Sequence, residues 1–341
     1  MAHALLQSVL APWWAAQLLT GAKSFADNPL IGSDRLNRRG LHAWRVSLAH
    51  RMAQRRRAKL AADPDPADRA GFDRDGFVAW NDFLPSATFE SLREQVLAYR
   101  GPAREMVQGD TITRRYAIDP AALRAIPAVR AFIADRRWRA MSRYVASFDI
   151  EPLLYIQSIL PHRHDAPPDP QVNLHADTFH PTMKAWLFLE DVDLSTGPLT
   201  YVAGSHRLTP ERLAWEHRRS LAVLRQDDRL SARGSLRIER DELAGLGLPQ
   251  PTAFAVPANT LVIADTFGFH ARGLATTRST RIELWAYSRR NPFLPFTGLD
   301  LWSLPGLAER RIPLLWKTHD IYRRLIGQPW ADVGRKLPAE D

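Results

Sequence analysis

The sequence predicts an α+β fold, in which a β core is flanked by helices and preceded by a helical appendage. Two observations predict it: short apolar runs bounded by turn residues, which are typical of buried strands, and stretches of helical periodicity before and between them. The predicted strands are 77–80, 111–116, 153–159, 171–177, 260–264 and 282–287, and the predicted helices are 41–60, 87–99 and 120–146. A chain of 341 residues is long enough to bury one large core and carry an appendage.

The positive charge of the chain is concentrated at its N-terminus. The net charge is +9, and residues 1–60 hold ten Lys and Arg against two Asp, so they carry eight of these charges. The remainder has ordinary apolar and charged fractions and is nearly neutral. The absence of cysteine excludes disulfides, thiolate metal ligands and a cysteine nucleophile.

Residues 1–62 are predicted to form two helices before the β core. The first is almost uncharged around Trp13, and Pro12 makes it too broken to span a bilayer. The second, residues 41–60, mixes apolar residues with arginines, which is typical of a basic amphipathic helix. Three functions fit this pair: binding to an anionic membrane surface, packing on the β core with a solvated basic face, and contact with nucleic-acid phosphates. We expect the membrane surface, because the apolar tryptophans add nothing to phosphate contacts.

The candidate functional site begins in the segment Gln171–Asp177. In an extended strand His175 and Asp177 are two residues apart, so they lie on one face. His270 follows the predicted strand 260–264 and is the candidate third ligand. Two His and one carboxylate leave the other coordination positions open, which is the arrangement of non-haem Fe(II) oxygenases. Other histidines are expected to lie outside the metal site, although the third of them could touch substrate: His162, His164, His180 and His206.

Arg281 is the candidate residue for a co-substrate. It comes eleven residues after His270, and a guanidinium beside a ferrous site offers a planar fork for a carboxylate. The co-substrate 2-oxoglutarate chelates iron through its keto-acid end and needs such a partner for its far carboxylate. Gln157 either reaches the co-substrate or satisfies a backbone group. Arg114 and Arg115 either face the substrate entrance or lie on a solvated strand edge.

A series of short motifs within residues 72–290 supports this interpretation. The motifs are Asp75–Val78, His175-Ala176-Asp177, Trp186–Asp191, Thr196–Leu199, Ala203–His206, His270 and Arg281. In this order they resemble the phytanoyl-CoA dioxygenase-like Fe(II)/2-oxoglutarate oxygenases. The resemblance implies a double-stranded β-helix, a jelly-roll or cupin-like core. It also implies iron on His175, Asp177 and His270, and 2-oxoglutarate on Arg281.

The same resemblance implies further contacts to the co-substrate. Trp186 stands at the spacing where the family places an aromatic residue near 2-oxoglutarate, and Thr277 falls where a Ser commonly helps to hold its carboxylate. This sequence departs from the family at Arg272 and Ala275, where a small hydroxyl residue and an Asn are common. The iron ligands are unaffected by these departures.

Residues 71–290 are therefore predicted to form the oxygenase domain, with a helical insertion at 207–252. The insertion begins at Thr209, an N-cap followed by Pro, and we expect it to form a lid or wall over the mouth of the barrel. Residues 291–341 form an apolar and basic C-terminal tail. The tail either joins the N-terminal helices on a membrane-facing side or packs on the barrel.

These observations predict an Fe(II)/2-oxoglutarate-dependent dioxygenase that uses O2 to hydroxylate a lipid or lipid-linked substrate at a membrane surface. The expected partners are an amphiphilic substrate and an anionic membrane bound through residues 1–60, with no nucleic acid, and the expected location is cytoplasmic, on the inner face of the membrane. One alternative is a soluble small-molecule or acyl-CoA hydroxylase with the same chemistry. An alternative of a different class is a membrane-associated β-barrel binding protein without catalysis, against which the intact ligand set argues.

Overall fold

The computed structural model of the chain describes residues 2–340, and the side chains of residues 10–324 and 327–340 within them. The strands are β1 (Phe77–Trp80), β2 (Gly101–Gln108), β3 (Thr111–Ala117), β4 (Leu153–Leu160), β5 (Met183–Phe188), β6 (Leu199–Tyr201), β7 (Thr252–Ala253), β8 (Leu261–Asp265), β9 (His270–Arg272), β10 (Arg281–Ser288) and β11 (Ala331–Lys336). The helices are α1 (Ala2–Gln17), α2 (Asp34–Arg38), α3 (Leu41–Leu60), α4 (Pro66–Asp75), α5 (Ser86–Leu97), α6 (Pro120–Ala125), α7 (Val129–Ala134), α8 (Arg136–Ala146), α9 (Pro210–Ala222), α10 (Arg229–Ala232), α11 (Glu242–Gly245), α12 (Arg311–Ile321) and α13 (Arg323–Ile326). Short 3-10 helices lie at Pro170–Val172, Leu301–Ser303 and Ala308–Arg310.

The strands form two antiparallel sheets. The large sheet has the order β1-β8-β5-β10-β4-β3-β2-β11, and in the small sheet β6 lies between β7 and β9. One apolar cluster contains Trp186 and Trp285 from the large sheet and Leu199 and Tyr201 from the small sheet, so the two sheets pack face to face. This architecture confirms the predicted α+β fold with a double-stranded β-helix core.

Helices cover the outer face of the large sheet. Ile282 and Leu284 of β10 pack in one apolar cluster with Leu92 of α5 and Trp138 of α8. Each fully buried aliphatic side chain of this kind stabilises the fold by about 1.5–3 kcal/mol. Because side chains alternate along a strand, the odd-numbered residues of β10 face the space between the two sheets.

The basic helix α3 packs on the body of the protein against α8 and α9. Its cations Arg45, Arg56 and Arg57 turn inward. The first two donate hydrogen bonds to backbone carbonyls, and Arg57 Nη2 lies 2.8 Å from Oδ2 of the fully buried Asp265. The inward face of α3 thus agrees with the interpretation that this helix packs on the β core. The cations on the opposite, exposed face are Arg51, Arg55 and Lys59.

The insertion 207–252 is joined to the N-terminal segment through a buried polar network. Nε2 of His42 on α3 lies 2.8 Å from Glu216 Oε2 on α9, and Arg212 approaches the other carboxylate oxygen at 3.1 Å. Thr209 caps α9 as predicted, since its hydroxyl accepts a hydrogen bond from the N–H of Arg212. The insertion therefore lies beside α3.

The tail 291–341 packs on the barrel. Its strand β11 pairs with β2 and extends the edge of the large sheet, and Trp316 of α12 packs against the apolar cluster between the sheets. The inner side of the tail thus agrees with the interpretation that the tail packs on the barrel. No described helix combines the length and the apolar character needed to cross a bilayer.

Candidate metal centre and substrate cavity

His175 lies in extended backbone outside the named strands, where the sequence predicts a strand over 171–177. Pro170–Val172 is a 3-10 helix, and His175 forms an isolated bridge with His270 through two backbone hydrogen bonds of 3.0 Å. The predicted alternation of side chains is nevertheless present. Leu174 and Ala176 are buried in an apolar cluster, and His175 and Asp177 share the opposite side.

His175, Asp177 and His270 converge on one point. Asp177 Oδ1 lies 3.7 Å from Nε2 of His175 and 3.7 Å from Nε2 of His270. One ligand atom from each of the three residues lies within 4.8 Å of the others. The structure thus brings together the three predicted ligands.

Backbone carbonyls orient both imidazoles. Nδ1 of His175 lies 2.8 Å from the carbonyl of Asn173, and Nδ1 of His270 lies 2.9 Å from the carbonyl of Gly268. Each Nδ1–H donates to its carbonyl, so each Nε2 presents a lone pair to the centre. A side chain at Gly268 is excluded by packing, since a Cβ there would lie 1.9 Å from the hydroxyl of Tyr201.

The ionisation of the three residues suits a divalent cation. Burial lowers the pKa of His175 and of His270, so both imidazoles are neutral ligands at neutral pH. Burial acts to raise the pKa of Asp177, but the charge of Lys184 is the largest opposing cause and its hydrogen bond adds to it, so that pKa is held well below its usual range. Lys184 Nζ lies 2.6 Å from Asp177 Oδ2, which leaves Oδ1 facing the imidazoles. Nε2 of His270 is buried with no hydrogen-bond partner among the described residues, so this donor set fits Fe(II).

The three ligands open into a cavity of about 750 Å³ between the sheets. Arg281 lies in its wall, where Nε is 3.0 Å from Glu283 Oε2 and Nη1 donates to the carbonyl of Gly197. Gly197 has a φ of +71°, a conformation that favours glycine, so the turn before β6 helps to fix the guanidinium. Gln157 joins this network by donating to Glu283 Oε1 at 2.6 Å and accepting from Arg115 Nε at 2.7 Å. Its side chain therefore bonds to side chains of the cavity wall, not to a backbone group.

The other predicted co-substrate residues have different positions. Trp186 lines the cavity opposite Trp285, to which it is paired across β5 and β10. Thr277 is exposed in the loop between β9 and β10 and is not among the lining residues, so the structure does not bring it to the site. Arg272 lines the cavity in its place and forms an ion pair with Asp169. The described lining side chains include none of the four histidines expected outside the metal site.

Of the two alternatives for Arg114 and Arg115, Arg115 follows the first and faces the cavity over the ring of Trp285, whereas Arg114 points away and pairs with Glu105. Two lysines of the cavity were not expected from the sequence. Lys184 lies two residues before Trp186 on β5, and this period of two is the signal that could have placed it on the inner face. Lys23, for which no sequence signal exists, donates to the backbone carbonyl of Asp177. Burial, followed by the charge of Arg289, lowers the pKa of Lys23 to about 8.

The outer wall of the cavity is built by the C-terminal tail. The lining residues of the tail are Leu315, Trp316, His319, Gln328, Pro329 and Trp330. Among the described lining residues none belongs to 207–252, although Leu236 and Ile238 of this insertion pair with the backbone of Ala176 and Leu174 on either side of His175. The insertion therefore borders the metal-ligand segment without lining the cavity.

Part of the chain is similar to known proteins. Residues 72–232 match the family model described as phytanoyl-CoA dioxygenase (PhyH), a range that includes His175 and Asp177. No curated protein matches the chain. Among solved structures, the epimerase SnoN of nogalamycin biosynthesis, in complex with Fe3+, alpha ketoglutarate and nogalamycin RO, is 18% identical with a TM-score of 0.43, and the match covers 71% of this chain and 92% of that chain. HygX from Streptomyces hygroscopicus, with nickel and 2-oxoglutarate bound, is 17% identical with a TM-score of 0.44 and the same two coverages.

Proposed function

We propose that this chain, which is phytanoyl-CoA dioxygenase-like over residues 72–232 and is an Fe(II)/2-oxoglutarate-dependent oxygenase-type enzyme, hydroxylates a lipid or lipid-linked substrate at a membrane surface. Fe(II) and 2-oxoglutarate, together with O2, supply the oxidation that places oxygen on a substrate C–H bond. The observation that carries the membrane part of the proposal is an exposed apolar surface that adjoins the metal cavity.

Each residue of the centre has one task in this proposal. The metal would be held by His175, Asp177 and His270. The ammonium of Lys184 binds Asp177 Oδ2, so that Oδ1 faces the metal position. Arg281 would pair with the far carboxylate of 2-oxoglutarate by a charge-assisted contact. The aromatic walls of the cavity keep water away from these charged contacts, which strengthens them.

The C-terminal apolar surface is formed by large side chains of the tail that are exposed to solvent. Its members are Leu299, Leu301, Trp302, Leu304, Leu307, Leu314, Leu315, Ile321 and Tyr322. The exposed fractions of Leu299 and Ile321 are 82% and 64%, and all nine side chains belong to the one segment 299–322. Leu315 belongs both to this surface and to the cavity wall, so a lipid bound at the surface lies next to the cavity.

Charge supports an anionic membrane as the occupant of this surface. Exposed cations of the same segment are Arg310, Lys317, Arg323 and Arg324. Each basic residue near an anionic bilayer contributes on the order of 1 kcal/mol to binding. The N-terminal segment would add the exposed Trp13 and Leu19, and it contacts the start of the tail, since Asn291 donates to the carbonyl of Leu19 at 3.1 Å.

The chemistry is tested by iron content and by succinate release from 2-oxoglutarate. We expect the protein reconstituted with Fe(II) under anaerobic conditions to hold one iron per chain and to release succinate once O2 is admitted. His175→Ala removes a ligand and should abolish both, whereas His162→Ala, which changes a histidine outside the cavity, should keep both. A His175→Ala protein with full activity would contradict this site, and iron binding without succinate release would favour the non-catalytic binding protein.

The membrane part is tested by sedimentation with vesicles of phosphatidylglycerol and phosphatidylcholine. We expect the wild-type protein to bind vesicles rich in phosphatidylglycerol, and the double variant Leu301→Ser, Leu304→Ser to bind at least tenfold more weakly, since burial of one Leu is worth about 1.5–3 kcal/mol. The control is Leu194→Ser, which removes an exposed Leu outside this surface. If the wild-type protein binds neither vesicles rich in phosphatidylglycerol nor vesicles of phosphatidylcholine, the membrane part of the proposal is overturned and the soluble hydroxylase is favoured.

A further inference from the structure

The side chains that line the cavity carry a positive charge that remains when the metal and the co-substrate are bound. The cations that line it are Lys23, Arg115, Lys184, Arg272, Arg281 and Arg289. Among the described lining residues Asp177 is the only carboxylate, and the carboxylates of Asp169 and Glu283 behind the wall pair with Arg272 and Arg281. A divalent cation and the dianion of 2-oxoglutarate cancel each other. The occupied cavity therefore keeps a net positive charge that favours an anionic substrate.

Three of these cations form one group on the side of the metal centre that Asp177 faces. Lys23 donates to the backbone carbonyl of Asp177, and Lys184 Nζ lies 2.6 Å from its Oδ2. Nη2 of Arg289 donates at 2.8 Å to the carbonyl of Gly21, two residues before Lys23. We name Lys23, Lys184 and Arg289 the cationic cluster. The cluster joins the N-terminal segment, β5 and the end of β10.

The cationic cluster lies far from the expected position of the co-substrate carboxylate. Arg281 is the first residue of β10 and Arg289 follows its last residue. Eight residues of extended strand separate their Cα atoms by about 27 Å. Lys184 lies at the same end as Arg289, because it is paired with Tyr287 across the sheet. 2-Oxoglutarate that chelates the metal and pairs with Arg281 would therefore extend toward the end of β10 opposite to the cluster.

The ammonium groups of the cluster keep donors free. Each lysine ammonium has three N–H donors, and the described contacts of Lys23 and Lys184 use one on each. The side chain of Arg289 is exposed, and its described hydrogen bonds to the carbonyl of Gly21 and to the side chain of Tyr287 leave others of its five donors available. Donors from three directions around one opening are suited to the several oxygens of a phosphate or carboxylate.

We infer that the substrate carries an oxyanion, a phosphate or a carboxylate, which binds the cationic cluster and so places the substrate beside the metal centre. This inference rests on the proposed function and narrows its substrate to an anionic amphiphile. It also makes the N-terminal segment part of the active site, because that segment supplies Lys23.

The test measures binding without turnover, by titration calorimetry on full-length protein loaded with Zn(II) and 2-oxoglutarate. The probes are dodecyl phosphate, dodecanoate and the uncharged dodecyl glucoside, all as monomers, together with inorganic phosphate. We expect both anionic amphiphiles to bind at least tenfold more tightly than the glucoside. Lys23→Gln and Arg289→Gln should each weaken the binding of the anionic amphiphiles about tenfold. The control Arg51→Gln, which removes an exposed cation of α3, should leave every affinity unchanged. Lys184 is left intact because it also orients Asp177.

The outcomes separate this inference from the proposed function. Equal affinities for charged and uncharged amphiphiles, or affinities that ignore Lys23→Gln and Arg289→Gln, overturn the cluster as a substrate site. The cluster is also overturned as a substrate site if the two variants weaken the binding of 2-oxoglutarate and leave the binding of the amphiphiles unchanged. Tight binding of inorganic phosphate that both variants abolish supports an oxyanion site and shows that the head group alone suffices. If the protein releases no succinate but still binds the anionic amphiphiles through Lys23 and Arg289, the proposed enzymatic function is contradicted and the anion-binding cluster is supported.

Discussion

The N-terminal segment and the C-terminal tail have similar compositions but opposite orientations. Both combine tryptophan and leucine with several arginines. In the N-terminal segment Arg45, Arg56 and Arg57 are directed into the protein, where carbonyls and Asp265 receive them. In the tail a row of large apolar side chains is directed to solvent. Amphipathic composition therefore does not tell which face of a segment is buried.

The difference has a physical cause in the partners that each segment meets. Burial of a guanidinium is costly unless hydrogen-bond acceptors surround it. For Arg57 these acceptors include the carboxylate of Asp265, which lies far away in the sequence on β8. In the tail Arg311 meets such acceptors, since its Nη1 lies 3.6 Å from Asp300 Oδ2 and its Nη2 donates to the carbonyl of Glu151, and the inner side is completed by Trp316 and Trp330 in the cavity wall. Both segments thus build the cavity with their inner sides, and only their outer sides are available to a membrane.

The strongest test of this comparison is the removal of one buried cation of α3. Arg57→Met leaves the carboxylate of Asp265 buried without its partner, and loss of one member of a buried pair costs about 3–5 kcal/mol. Arg55→Met removes an exposed cation of the same helix and should change the free energy of unfolding by less than about 0.5 kcal/mol. Chemical denaturation measures both. Equal effects of the two variants would mean that α3 is not part of the folded body.

A smaller effect separates the two sides of the tail. Trp316 lines the cavity near Tyr155 and is only partly exposed, so Trp316→Ala should cost about 2 kcal/mol, less than the 3–5 kcal/mol of a fully buried aromatic residue. Trp302 is 49% exposed on the apolar surface, and Trp302→Ala should leave stability nearly unchanged while it weakens vesicle binding. If vesicle binding instead followed Trp316, the assignment of the inner and outer sides would be reversed.

The smallest effect concerns pH. Burial, followed by nearby arginines, holds the pKa of His50 on α3 well below 6.5 in the folded protein. Below pH 6.5 the unfolded chain binds a proton at this residue and the folded chain does not, so stability falls as the pH falls. The loss attributable to His50 is about 1 kcal/mol between pH 6.5 and 5.5. His50→Leu should reduce the slope of unfolding free energy against pH over this interval, and an unchanged slope would place His50 in solvent.

The sequence predicts the pair His175 and Asp177 from local information, whereas the third ligand, His270, was assigned from the predicted strand before it and from the family resemblance. The spacing of His175 and Asp177 places them on one side of extended backbone, whether or not a regular strand forms there. The alternation along β5 and β10 likewise turns Trp186 and Arg281 toward the same cavity. Residues that depend on one period can thus be placed from the sequence.

Residues that depend on distant partners could not be placed in this way. Lys23 reaches Asp177 across more than a hundred and fifty residues of sequence, and no pattern around it indicates a cavity. The insertion 207–252 was expected over the mouth, but the buried pair of His42 and Glu216 holds its helix α9 beside α3, and its residues 236–238 pair with the segment that carries His175. Thr277 was placed by resemblance, and the loop that carries it turns outward.

The central claim is that His175, Asp177 and His270 hold one iron with 2-oxoglutarate beside it. Its most direct test is an anaerobic titration of the metal-free protein with Fe(II), followed by 2-oxoglutarate, while visible charge-transfer absorption is recorded. We predict an absorption band that saturates at one 2-oxoglutarate per iron and is absent in His270→Ala. A wild-type protein without this band, or a His270→Ala protein that retains it, would contradict the account.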